Sequence, residues 1–297
     1  MNDTENKERP FIGPGWYKGL SNEEYHGSFG YSSSGLKTLV DQTPAHLHYG
    51  LTQPNEPTAN MQLGTALHTL VLEPEKFDDE FAVSEKFDGR TKAGKAAKEL
   101  FNVQNAGKVV LSEDQVDKAK AMAAAVLAHP IARLMVTDCI TESSIFWWYK
   151  TMEADDNTEF KTMLKVRPDA ISRAYPVVVD LKSSADGSFT GFAKSIINFG
   201  YHISAAMYLE GVNQCEELLK ELGRMAFNKF VFVVVENFEP HLVSVYELSI
   251  NDLDLGKAMY RSTLRKLKDG QENDWPGYPE EIRVIELPAW ANRAHVV

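Results

Sequence analysis

The chain is poor in the features that anchor several common readings. It has two cysteines, Cys139 and Cys215, in 297 residues, too few for a disulfide framework or a four-thiolate zinc or iron–sulfur site within one chain. It has no apolar run of about 18 residues or more, the length that crosses a bilayer. Its first residues, MNDTENKERP, lack the apolar core of a secretory leader. The expected location is therefore the cytoplasm, with no membrane partner. Gly-x-Ser-x-Gly, His-Glu-x-x-His, EF-hand and dinucleotide-binding patterns are missing, so serine hydrolase, zincin and Rossmann readings have no anchor. Positive charge is also in deficit: 31 Lys and Arg stand against 42 Asp and Glu, a net charge of −11. That argues against a protein that coats nucleic acid non-specifically. It leaves a nuclease open, because metal-binding carboxylates are themselves acidic.

What is present is an ordinary globular composition, 43% hydrophobic and 25% charged, with enough chain for a large core. Residues 1–30, rich in Gly, Pro and aromatics, read as an irregular arm. Ser32-Ser33-Ser34 caps a short helix over 34–41, and Pro44 opens another that ends near Gly50. An apolar helix is expected over 60–73, stopped by Pro74, and a Lys- and Ala-rich one within 89–107. Ser112 and Gln115 have the spacing of a capping box for a helix over 113–128. Strand-like runs follow at 143–150, 159–167, 177–182, 228–236 and 241–248, with helices over 198–222 and 252–268. The tail, 270–297, is expected to lie over the body as irregular chain. The layout is α/β: helices first, then a mixed sheet flanked by helices.

The most informative stretch is 165–182, KVRPDAISRAYPVVVDLK. Val177-Val178-Val179 reads as a buried strand that delivers Asp180, Leu181 and Lys182. Alternation puts Asp180 and Lys182 on one side and Leu181 on the other. A charged pair there is costly to bury unless something occupies it. Two strands joined by a short turn would bring Asp169, in its Arg-Pro-Asp turn, to the same sheet edge. The resulting oxygen-rich site suits a hard cation such as Mg²⁺, with a lysine beside it to orient water or offset charge.

Other constellations are weaker. His68, in GTALH, sits among Leu67, Leu70 and Val71, where a satisfied core histidine is the ordinary reading. Gly64 would let that helix press against the sheet and bring the imidazole to the two aspartates. Glu142 opens a strand and could point inward beside Asp169. Glu73 falls off the His68 face and reads as a structural charge. In NFGYHISAAMYLEG, Tyr201, Ser204 and Tyr208 recur at helical spacing, and the donors of Tyr201, His202 and Ser204 would suit a phosphate or a water. Residues 89–96, GRTKAGKA, come close to a P-loop, but Ala96 stands where the magnesium-binding hydroxyl is required. Arg90, Lys92 and Lys95 there form a basic helix start able to hold an anion.

Taken together, GTALHTLVLEPE, KVRPDAI…VVVDLKSS and YHISAAMYLEG resemble the RecB-like branch of the PD-(D/E)XK nuclease superfamily. Within it, the resemblance is to the RecE-type exonuclease VIII nuclease domain of phages and prophages, across residues 20–250. The resemblance implies a PD-(D/E)XK exonuclease domain over 31–270, between the arm at 1–30 and the tail at 271–297. It implies that His68, Asp169, Asp180 and the Leu181 carbonyl bind Mg²⁺, for which Mn²⁺ can substitute, and that Lys182 is the catalytic lysine. It further implies 5′→3′ digestion of linear double-stranded DNA, a single-strand-annealing (RecT-like) recombinase as partner, and a ring-shaped homo-oligomer, a tetramer. Where the family pattern has Gln in Q-x-x-x-Y, this chain has Ser204, so no role transfers to that position. A restriction- or repair-type endonuclease and a non-catalytic DNA-binding module are the alternatives.

Overall fold

The computed structural model describes residues 9–53, 57–85, 87–152 and 159–287. The chain begins with β1 (Gly15–Tyr17) and α1 (Asn22–Gly27), followed by α2 (Ser33–Asp41), α3 (Pro44–Thr52) and α4 (Ala59–Leu72). A short helix, α5 (Phe77–Glu80), leads to β2 (Phe81–Ser84), α6 (Lys92–Gln104) and β3 (Val109–Ser112), with β2 and β3 paired in parallel. Helices α7 (Glu113–Ala128) and α8 (Pro130–Val136) precede the strand-rich half. That half holds β4 (Cys139–Thr141), β5 (Ser144–Met152), β6 (Glu159–Val166), β7 (Ala170–Ser172) and β8 (Val177–Ser184). Helices α9 (Phe189–Asn198), α10 (Tyr201–Gln214) and α11 (Glu216–Glu221), strands β9 (Lys229–Glu236) and β10 (Val243–Glu247), and α12 (Ile250–Glu272) complete it.

The central sheet has the order β10-β9-β8-β7-β4. Its β8–β9 pair is parallel, and the other pairs are antiparallel. Parallel strands buried on both faces carry near-continuous apolar runs, and Val177–Val179 and Phe230–Val235 are all buried. Alternation then sorts them. Val178, Phe230, Phe232 and Val234 pack toward residues of α2, α10 and α12. Val177, Val179, Leu181, Val231, Val233 and Val235 pack toward α4 and α7. A second antiparallel sheet, β1-β5-β6, flanks this body.

Local signals account for most boundaries. Ser112 accepts from Gln115 N at 3.2 Å while the Gln115 side chain accepts from Ser112 N at 3.0 Å, so the capping box forms and α7 starts where the spacing put it. Thr58 caps α4 through Met61 N.

Four expectations need correction. The arm is not wholly irregular, since it contains β1 and α1. The helix expected over 198–222 is broken: α9 ends before Gly200, whose φ of 61° is left-handed and turns the chain into α10, and Cys215 separates α10 from α11. Asp169 and Asp180 meet in the middle of the five-stranded sheet rather than at its edge. The tail docks through Trp275, which stacks on His48, but Ile282, Val284 and Ile285 are exposed and do not lie over the body.

Candidate active site

The site forms where β7 stops short. Its last pair with β8 is Ala170 with Val179, which leaves the Leu181 N–H and C=O facing a place where β7 has no further residue. Buried backbone polar groups need partners. The Leu181 N–H donates to Asp169 Oδ2 at 2.7 Å, and its carbonyl lies 2.7 Å from His68 Nε2. The turn that ends β6 and the helix α4 are thereby tied to the same residue of β8.

Three donor groups converge beside it. His68 Nδ1 is 3.6 Å from Asp169 Oδ2 and 3.8 Å from Glu142 Oε1, and ligand atoms of His68, Glu142 and Asp169 all lie within 4.8 Å of one another. Glu142 sits between β4 and β5 with a φ of 45°, a left-handed conformation that a glutamate adopts only at a cost. Its N–H donates to the Asp169 carbonyl at 3.1 Å, which fixes the two acidic residues together. Asp180 is not in that trio. Its Oδ2 is 2.5 Å from Lys182 Nζ, and the ammonium lies 5.4 Å from the centre of the Tyr201 ring.

The electrostatics reflect carboxylates crowded into a buried place. Burial alone would lower the His68 imidazole, but the Asp169 charge and the Glu142 hydrogen bond reverse this and raise it to about 9. Burial, with the Asp169 charge, raises the Asp180 carboxyl, and Lys182 opposes the rise. Burial works against the Lys182 charge, yet Asp180 and Asp169 outweigh it and hold the ammonium above the usual lysine range. The Tyr208 phenol is pushed well up by burial and then by Asp180 and Asp169, so it remains a neutral donor beside Ser33.

A cavity of about 1150 Å³ opens over these groups and takes in Tyr201 and Tyr208. One wall is α4. The other is the arm, whose Asn22, Tyr25 and His26 line it. Arg167 joins that wall to the site: its guanidinium donates to Ser144 Oγ at 2.7 and 2.9 Å, to Asn22 Oδ1 at 2.9 Å and to the Leu20 carbonyl at 2.9 Å. Lys165 reinforces it through the carbonyls of Tyr25 and Ser28.

Several of the residues singled out from sequence lie elsewhere. Ser204 does not line the cavity. His202 is buried and faces Met259 of α12. Glu73 lies at the rim and pairs with Lys76 at 2.7 Å. Arg90, Lys92 and Lys95 are outside the cavity; there Thr91 caps α6 by accepting from Gly94 N, and Asp88 accepts from Arg90 N. Gly64 is not pressed against the sheet, since a Cβ added to it would meet nothing within 4 Å. Sequence reading passed over Arg167, although its place two residues before Asp169 was a usable signal. It also passed over Lys37, which donates to the Phe199 carbonyl at 3.0 Å and lies 5.8 Å from the Tyr201 ring. Nothing local marks that lysine.

The order Pro168-Asp169, in the turn before β7, then Asp180-Leu181-Lys182 on the neighbouring β8, spells out the signature of one superfamily. The sequence matches the family described as "PDDEXK-like domain of unknown function (DUF3799)" over residues 32–288. The chain belongs to this family. As a PDDEXK-like protein it carries the α/β fold of the PD-(D/E)XK nuclease superfamily and is a nuclease-type domain. A crystal structure of a "Putative exonuclease" from Eubacterium rectale is similar at a TM-score of 0.57 and 15% identity, covering 95% of this chain and 100% of that one. At that identity the likeness concerns the fold alone. The crystal structure of SSO0001 gives a TM-score of 0.29 at 14% identity, covering 78% of this chain and 84% of that one, and carries no argument. No curated protein matches the chain. No single described helix is long and apolar enough to cross a membrane.

Nucleases of this superfamily typically use divalent metals, and the donor set fits one. Carboxylates and an imidazole, with a carbonyl oxygen adjacent, are ligands that hard divalent ions accept. The crowded negative charge is offset by the His68 imidazolium and the Lys182 ammonium, the role a cation would share.

Proposed function

We propose that this protein is a Mg²⁺-dependent exodeoxyribonuclease of RecE type. It digests linear double-stranded DNA from its ends, 5′→3′, and leaves 3′ single-stranded tails for a RecT-like annealing recombinase. The observation that carries the reading is the His68, Glu142 and Asp169 trio, within 4.8 Å, beside the Asp180–Lys182 pair. His68, Glu142 and Asp169 would hold the ion, with Asp180 and the Leu181 carbonyl adjoining. A divalent cation held by these residues would supply polarisation of the scissile phosphate and a water of lowered pKa. Lys182 Nζ donates to the attacking water and offsets charge on the phosphate oxygens. Tyr201 holds that ammonium over its ring, and neutral Tyr208 can donate to a phosphate oxygen. To serve as a ligand, the Leu181 carbonyl must give up its hydrogen bond from His68.

End-dependence and polarity rest on the RecE-type sequence resemblance; the Eubacterium rectale neighbour's designation as an exonuclease agrees with end-dependence alone. A ring-shaped homo-oligomer, a tetramer, and a cytoplasmic location belong to the same reading. The basic start of α6 grips DNA away from the cavity; Lys92→Glu and Lys95→Glu should weaken DNA binding, and unchanged affinity and digestion remove that role.

The test is digestion of end-labelled linear duplex and covalently closed circles, with Mg²⁺, Mn²⁺ or EDTA. Linear duplex should shorten from its ends in either metal, and closed circles should survive. Cutting of circles favours an endonuclease, and no hydrolysis in any metal favours a non-catalytic module.

A further inference from the structure

The cavity wall formed by α4 is unusual in what it leaves out. Asn60, Met61, Gly64 and Thr65 line the cleft on the same helix as His68. None carries a charge, and His68 is the one titratable residue in α4. The Thr65 hydroxyl is turned back to the Met61 carbonyl at 3.0 Å and the Thr69 hydroxyl donates to Glu80 at 3.1 Å, so the stripe is neutral and the Asn60 amide is its main polar group. At its middle, one helical turn before His68, is a glycine.

A glycine inside a helix is a standing cost to stability, because it loses the most backbone freedom and packs nothing. Such residues persist where a neighbour needs the room. Gly64 has no such neighbour: a Cβ would meet nothing within 4 Å, and its helix is regular on both sides. The room lies on the cleft side. A polyanion entering there meets a low, neutral surface directly beside the carboxylates that would hold the ion. Neutral, low relief suits the sugar and base of a nucleotide, whereas phosphates are met by cations and donors.

We propose that the cleft face of α4, centred on Gly64, seats the sugar and base of the nucleotide next to the scissile phosphate. The missing side chain sets how closely the strand approaches His68. The inference rests on the nuclease reading and adds to it a substrate-positioning surface.

Full-length Gly64→Ala and Gly64→Leu proteins test it through four readouts. These are thermal melting, Mn²⁺ binding by calorimetry, affinity for linear duplex in EDTA, and single-turnover cleavage in Mg²⁺. Gly64→Ala should melt about 2 °C higher, as a helix freed of an unneeded glycine does, yet cleave about tenfold more slowly, since small displacements of a bound strand are costly. Gly64→Leu should cleave at least about 100-fold more slowly and bind duplex more weakly, with Mn²⁺ binding unchanged. If Leu lowers the melting temperature, the Ala variant decides, because stability and activity must then move in opposite directions. Wild-type cleavage by Gly64→Leu overturns the inference alone. Parallel loss of Mn²⁺ binding overturns it in favour of a role in shaping the metal site. A wild-type protein that cleaves no DNA removes the nuclease reading, and this inference with it.

Discussion

His68 Nε2 lies 2.7 Å from the main-chain carbonyl of Leu181, 113 residues further along the chain. That contact pins α4 to β8 at the point where β7 ends. It leaves the other ring nitrogen facing Glu142 and Asp169. The candidate metal ligands are thus aligned by one carbonyl of a central strand that has no partner in β7 and accepts from His68 instead.

The Asp180–Lys182 pair predicts a clean separation of chemistry from folding. Asn at 180 keeps an oxygen facing the ammonium but removes the charge. Asp180→Asn should slow cleavage by about 10³-fold or more, with an unchanged circular-dichroism spectrum. Retained Mg²⁺-dependent digestion refutes the assignment.

His68 predicts opposite pH effects on stability and on metal uptake. Its value rises from 6.5 to about 9 on folding, and its side chain is 24% exposed, so solvent screening is modest. The stabilisation, up to about 3 kcal/mol, is complete below 6.5 and lost as pH rises through about 9. In EDTA, the stability gap between wild type and His68→Asn should close over that window. The comparison cancels Lys165, which burial, then Arg9 and Arg167, lower to about 7; its contribution runs the other way, stability rising as pH climbs from about 7 to 10.5. Metal must displace the His68 proton, so Mn²⁺ affinity should rise about tenfold per pH unit below that value. Calorimetry in buffers of differing ionisation enthalpy counts the proton released.

Glu142 predicts a trade between strain and binding. Glu142→Gly frees the left-handed backbone and removes a crowded carboxylate. EDTA-treated protein should gain about 1 kcal/mol, melting about 1–2 °C higher, while Mn²⁺ affinity falls about 10- to 100-fold. A variant that binds Mn²⁺ like wild type would take Glu142 out of the ligand set.

Arg167 predicts that the arm is a working part of the cleft. Lysine cannot reproduce a guanidinium that reaches Ser144, Asn22 and Leu20 together. Arg167→Lys should cost about 2–3 kcal/mol, expose residues 9–30 to limited proteolysis and raise KM for DNA. An arm that stays protease-resistant would count against this coupling.

Much of the fold was legible because its signals are local. The capping box at Ser112, the proline after α4 and the Val177–Val179 run each act within a few residues, and each element formed where its signal lay. The three-residue strands β4 and β7 were not legible. They are too short to show a period: β7 exists because the longer β8 pairs with it, and β4 because β7 does. The break at Gly200 was missed for a related reason: a glycine in a helical pattern becomes a left-handed junction only when two helices pack at an angle across it.

The same division runs through the site. Asp169, Asp180, Lys182 and His68 could be singled out from residue type and spacing, since a charged pair leaving a buried strand is conspicuous in one dimension. Which atoms share a pocket was decided in three dimensions. Packing of α4 against β8 brought His68 to Glu142 and Asp169, a backbone hydrogen bond held those two acidic residues together, and packing of α10 against α12 turned His202 toward Met259. Contacts between segments more than a hundred residues apart depend on the summed fit of two cores, and no short window of sequence contains that sum.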